Sequence, residues 1–100
     1  MKIFVDIDNT ICYYDDNQEH NYLKAKPYRD RISKINKLYE DGNEIIYWTA
    51  RGTVTQKIWF NSTYEQLQNW GCKFNELRMG KPAYDLFIDD KNINSEEFFK

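Results

Sequence analysis

Hydrophobic runs and polar breaks alternate along the chain so as to sort it into short strands and amphipathic helices. Lys2 to Ile7 is a β-branched and aromatic run that stops abruptly in polar residues, the pattern of a buried parallel strand. Cys12 to Lys26 is polar and aromatic without a clear period and predicts a loop or small flap. Pro27 suits the first turn of a helix, in which Ile32, Ile35, Leu38 and Tyr39 fall on one side and Asp41-Gly42 supplies the stop. Glu44 to Thr49 predicts a second strand, built on Ile45, Ile46, Tyr47 and Trp48. Gly52-Thr53 breaks the chain before a second helix, from about Val54 to Trp70, with Ile58, Trp59, Tyr64 and Leu67 as core contacts and Gly71 as its end. Phe74 to Leu77 predicts a short third strand and Tyr84 to Ile88 a fourth. Ser95 before Glu96 and Glu97 marks the capped start of a last helical turn.

Strands alternating with helices predict an α/β domain with a parallel sheet and flanking helices. The 100 residues contain no repeat, linker or low-complexity tract, so the expectation is a single domain over 1–100.

Composition narrows the functional classes. Hydrophobic residues at 41% and charged residues at 30% suit a globular rather than a disordered chain. A net charge of −2 gives no general attraction to nucleic acid or anionic membrane. One basic run stands out, Lys24, Lys26, Arg29, Arg31, Lys34 and Lys37, which reads as a solvated helix face or as a guide for a polyanion. Cys12 and Cys72 lie 60 residues apart with no CxxC or Cys/His spacing, which argues against zinc and against a disulfide scaffold. Met1 leads straight into Lys2-Ile3-Phe4-Val5, too short a stretch for a signal peptide or membrane span, so a cytoplasmic location is expected.

The candidate chemistry sits where strands end. The first ends in Asp6-Ile7-Asp8-Asn9-Thr10, the second in Thr49-Ala50-Arg51-Gly52 and the fourth in Asp89-Asp90. In a parallel sheet all strand C-termini share one edge, where open α/β folds bind ligands. Gathered carboxylates repel, and a divalent cation relieves that repulsion. Oxygen donors without His or Cys favour Mg²⁺ over zinc. Asp6 and Asp8 are two apart, so on extended backbone they point the same way. One can attack phosphorus while the other moves protons.

Asp6-x-Asp8-x-Thr10, Thr49, Lys81 in Gly-Lys-Pro and Asp89-Asp90, in this order over residues 3 to 90, resemble the haloacid dehalogenase (HAD) superfamily. The resemblance implies a Rossmann-like sheet and assigns roles position by position. Asp6 would be the nucleophile and a magnesium ligand. Asp8 would be the general acid/base, with its backbone carbonyl on the metal, and Thr10 would support the turn. Thr49 would bond the phosphoryl group, Lys81 would offset charge, and Asp89 and Asp90 would ligate Mg²⁺. Asp8 separates the chain from family members that cleave carbon–halogen bonds and from ion-pumping ATPases, and so implies a phosphatase or phosphotransferase. Asn9 stands where many members have glycine, and Asn92 or Asn94 can match a later polar residue. Only 38 residues separate Thr10 from Thr49 and 31 separate Thr49 from Lys81, so no large cap domain is expected.

Each residue also has an ordinary reading. Asp6, Asp8 and Asp89-Asp90 can simply end strands or make turns, Thr49 can cap a helix, and Lys81 can be a solvent lysine. Arg51 can meet the substrate phosphate or pair with a carboxylate. Tyr13, Tyr14 and His20 in the flap can touch substrate or pack. The expectation is a Mg²⁺-dependent phosphomonoester hydrolase acting through an aspartyl-phosphate, on a small sugar, polyol or related metabolite phosphate such as those of surface-polysaccharide synthesis. Two alternatives stay open: a polynucleotide 3′-phosphatase, and a non-catalytic binding module. A missing cap would leave the pocket open to a bulky substrate or to closure by another subunit, in a homo-oligomer.

Overall fold

The structure, a computed structural model, describes residues 1–18, 21–53 and 58–100. His20 and the expected start of the second helix at Val54 lie outside the described residues. In chain order the elements are β1 (Lys2–Val5), β2 (Cys12–Tyr13), a 3-10 turn (Tyr22–Lys24), β3 (Lys26–Pro27), α1 (Arg29–Glu40), β4 (Glu44–Trp48), α2 (Phe60–Asn69), β5 (Glu76–Arg78) and α3 (Ser95–Phe98).

β1, β4 and β5 form a parallel sheet in the order β1-β4-β5, with Ile3 opposite Ile45, Val5 opposite Tyr47 and Tyr47 opposite Leu77. Side chains alternate between the faces of such a sheet. One face carries Val5, Ile45, Tyr47 and Leu77, which form a single buried cluster with Ile32 and Ile35 of α1 and Leu67 of α2. Both long helices therefore cover this face. Phe4, Ile46 and Trp48 occupy the other, where the Phe4 and Trp48 rings meet edge to face at 5.7 Å and Phe4 stays 44% exposed. Gly42 and Gly71, at φ +99° and +76°, follow the helices in a left-handed conformation that a side chain would strain.

Four expectations need correction. Pro27 ends β3 instead of opening α1, which starts at Arg29. Among the described residues α2 begins only at Phe60, and Ile58, expected in the core, is 89% exposed. The third strand starts at Glu76, because Phe74 turns inward to meet the Tyr47 and Tyr64 rings at 5.7 and 5.4 Å. Tyr84–Ile88 is not a strand of this chain's sheet: residues 82–94 all lie exposed, Leu86 and Ile88 at 75% and 87%. The cause is chain length. Lys81 is already at the edge where the parallel strands end, and returning to the other edge takes a crossover of about a dozen residues.

Among the described residues no helix is long and apolar enough to cross a membrane.

Candidate active site

The chain leaves β1 through a tight turn. The Ile7 carbonyl accepts from the amides of Thr10 (3.1 Å) and Ile11 (2.9 Å), and the Ile7 side chain is buried in the core. Asn9 takes φ +63°, a left-handed conformation that Asn tolerates better than most residues. With Ile7 turned inward, Asp6 and Asp8 are left facing the edge of the sheet.

Asp6 is held by two partners. The Thr10 hydroxyl donates to its Oδ2 at 3.0 Å, and the Lys81 ammonium lies 3.3 Å from its Oδ1. Lys81 reaches this position because two loops are joined: its amide donates to the Thr49 carbonyl at 3.1 Å, and the Thr53 hydroxyl donates to the Lys81 carbonyl at 2.9 Å. The Thr49 amide in turn donates to the Arg78 carbonyl at 3.0 Å. The ends of β1, β4 and β5 thus bring Asp6, Thr10, Thr49 and Lys81 together.

Asp8 belongs to a second, more buried group. Arg51 grips its carboxylate with a two-pronged fork, Nε to Oδ2 at 3.0 Å and Nη2 to Oδ1 at 2.8 Å. Arg51 Nη1 donates to the Thr63 hydroxyl at 3.2 Å and to Gln66 Oε1 at 2.7 Å, and the guanidinium sits 4.8 Å over the Tyr22 ring. The Tyr14 hydroxyl and the Cys12 thiol also donate to Asp8. Burial opposes the guanidinium's charge, but the hydrogen bonds and charge of Asp8 outweigh it, so Arg51 is held above the ordinary arginine value. Of the two readings of Arg51, contact with a substrate phosphate or pairing with a carboxylate, the structure shows the second: its side chain is 1% exposed and four of its hydrogen bonds point into the protein, two of them to Asp8.

Tyr14 binds Asp8, whereas Tyr13 packs its ring at a tilt of 39° against Tyr28, centroids 4.8 Å apart. Thr63, Gln66 and Cys12 were not anticipated. The available signal was the polar pair Thr63 and Gln66, three residues apart on the helical side that also carries buried Leu67. Of the basic run, Lys26, Arg31 and Lys37 pair with carboxylates of their own chain, and Arg29 and Lys34 donate to backbone carbonyls.

Burial first, and then the charge of Asp8, push the Cys12 thiol up from 9.0 to about 12. A folded-state value above the unfolded one gives stability that is complete below the unfolded value near 9 and is lost as pH rises through about 12. Thermal denaturation should therefore show stability falling with pH over this window, and falling less steeply in Cys12→Ala. Equal alkaline slopes in the two proteins would contradict this origin.

A shallow depression of about 240 Å³ opens beside the Thr53–Lys81 junction, lined by Gly52, Thr53, Trp59, Phe60, Met79 and Gly80. Its wall is largely apolar. It has room for part of a small organic group next to the polar edge.

Magnesium needs about six oxygen donors. Asp6 and the Asp8 carbonyl are donors of the right kind. Asp89 and Asp90, expected to complete the set, lie exposed in the 82–94 segment. Among the described residues no three of His, Cys, Asp and Glu gather to hold a metal. The donors fit the ion in type.

No family model matches the chain, and no curated protein does. A solved structure of an MCSG target from Vibrio cholerae superposes with a TM-score of 0.83 at 25% identity, over 98% of this chain and 86% of that one. The α/β fold is thus one that a solved structure also adopts.

Proposed function

We propose that this chain is a Mg²⁺-dependent phosphomonoester hydrolase of the HAD type, with Asp6 as nucleophile. The observation that carries the reading is the meeting of Asp6, Thr10, Thr49 and Lys81 at one edge of the parallel sheet, with Lys81 3.3 Å from the Asp6 carboxylate. A carboxylate beside an ammonium, at the ligand-binding edge of an α/β sheet, suits attack on a phosphate whose charge needs an opposing cation.

In the first step an Asp6 oxygen bonds to phosphorus while the bond to the leaving oxygen breaks, and the leaving oxygen takes a proton from Asp8, which enters this step in its acid form with one prong of the Arg51 fork released. In the second, water gives a proton to Asp8 and attacks the aspartyl-phosphate, freeing inorganic phosphate and the Asp6 carboxylate. Lys81 faces the charge on the phosphoryl group, and Thr10 fixes the attacking carboxylate. Arg51 and Tyr14 hold Asp8 in orientation. The metal, when bound, would neutralise phosphate charge at Asp6 and the Asp8 carbonyl.

A small sugar, polyol or related metabolite phosphate is the favoured substrate class. The apolar depression beside the Thr53–Lys81 junction suits a compact leaving group, and a net charge of −2 gives no general pull on a polynucleotide. The test is phosphate release from an aryl phosphate, sugar and polyol phosphates, and 3′-phosphorylated oligonucleotides, with Mg²⁺ and with a chelator. The expected result is chelator-sensitive turnover, fastest on the small esters. Turnover confined to oligonucleotides would overturn the substrate class, and none on any ester would favour a binding module.

A further inference from the structure

Two features lack counterparts among the described residues. Tyr84-Asp85-Leu86-Phe87-Ile88 has the composition of a buried strand, yet it lies exposed. β1, by contrast, ends the sheet with its outer edge unpaired among the described residues, next to a face on which Phe4 is half exposed. An open edge of β-branched and aromatic residues such as this one can accept another strand. β5 at the opposite edge is a poorer acceptor: it is three residues long, and Glu76 and Arg78 pair across it at 2.8 Å.

The chain cannot join these two features by itself. Lys81 is fixed beside Asp6, and three steps of chain to Tyr84 reach about 10 Å at most. A parallel return along β1 needs a far longer crossover. A second copy has no such restriction.

We propose that the Tyr84–Ile88 segment of one copy adds as a parallel strand to the outer edge of β1 in another. Adjacent strands lie about 4.8 Å apart, and parallel strands end at the same edge, so the segment's Asp89 and Asp90 arrive beside the other copy's Asp6. The donor set that one chain leaves short is thereby completed in trans. Each site is built from two subunits, and the added strand extends the sheet past Phe4. The strand exchange stands on the exposed segment and the open edge; the task given to Asp89 rests on the phosphatase reading.

Light scattering of the full chain, together with hydrogen exchange, tests the exchange without reference to activity. The wild type should be an oligomer with slowly exchanging amides over Asp85–Ile88. Leu86→Glu with Ile88→Glu should be a folded monomer in which those amides exchange fast, since both side chains are exposed in the single chain and charge there does not disturb its core. A monomeric wild type, or an oligomer that survives both substitutions, would overturn the proposal.

The trans site is tested by co-refolding Asp6→Asn with Asp89→Asn. Each variant alone should be inactive, and an equal mixture should recover about a quarter of wild-type activity, because random pairing leaves that share of sites with both aspartates. An oligomer whose mixed variants recover nothing would place Asp89 in its own chain's site and overturn supply in trans. A wild type without activity would fail the phosphatase reading alone, with the exchange still decided by the first experiment.

Discussion

Asp6→Asn is expected to lower kcat by at least about a thousandfold while the protein stays folded. An amide oxygen is a poor nucleophile toward phosphorus, and the neutral side chain also forfeits its pairing with Lys81 at 3.3 Å. The fold should tolerate the change. Asp6 is partly exposed, and the amide oxygen can still accept from the Thr10 hydroxyl. Steady-state kinetics on the best ester of the panel, with a thermal melt alongside, separates the two effects. Wild-type turnover in a folded Asp6→Asn protein would remove Asp6 from the chemistry.

The second large effect concerns stability. Arg51→Met should cost about 3 kcal/mol, since it strands the Asp8 carboxylate and leaves the Thr63 and Gln66 oxygens without their donor. The lower end of the range for a broken buried pair applies because the Asp8 side chain is 23% exposed. In a domain this small such a loss lowers Tm by roughly 10–25 °C. Arg51→Lys should recover little, because an ammonium cannot fork onto Asp8 while also reaching Thr63 and Gln66. Combining Arg51→Met with Asp8→Asn should lose less than the sum of the two single changes, as a neutral amide is cheaper to leave unpaired. Denaturant melts of the four variants measure this. A loss below about 1 kcal/mol for Arg51→Met would mean that the pair is a solvent-screened contact.

How far the sequence foretold this molecule differs from element to element. β1 and β4 were legible because β-branched and aromatic runs between polar breaks have few other places to go in a small chain. α1 was legible from Ile32 and Ile35, both buried as their spacing requires. The grouping of Asp6, Thr49 and Lys81 was legible because parallel strands deliver their C-terminal residues to one edge, whatever their separation in sequence.

Arg51 was not, and the reason is physical. A guanidinium is satisfied by any carboxylate, hydroxyl or amide oxygen in reach, and its choice of Asp8, Thr63 and Gln66 depends on how α2 docks beside the β4 loop. Phe74 left the expected third strand because two rings, Tyr47 and Tyr64, offered it a better place than a sheet position did. For Tyr84–Ile88 the local pattern expresses a preference for extended, buried backbone. Local pattern carries no information about chain connectivity, and the link from Lys81 is too short for a parallel return along β1 that would bury the segment.

The central claim is that Asp6 carries the phosphoryl group between the two steps. Turnover stopped with acid and then treated with borohydride, which reduces an acyl phosphate to an alcohol, reads this directly by peptide mass spectrometry. The account predicts homoserine in place of Asp6, appearing only when substrate and Mg²⁺ are both present. Reduction at another carboxylate, or none during rapid turnover, would contradict it.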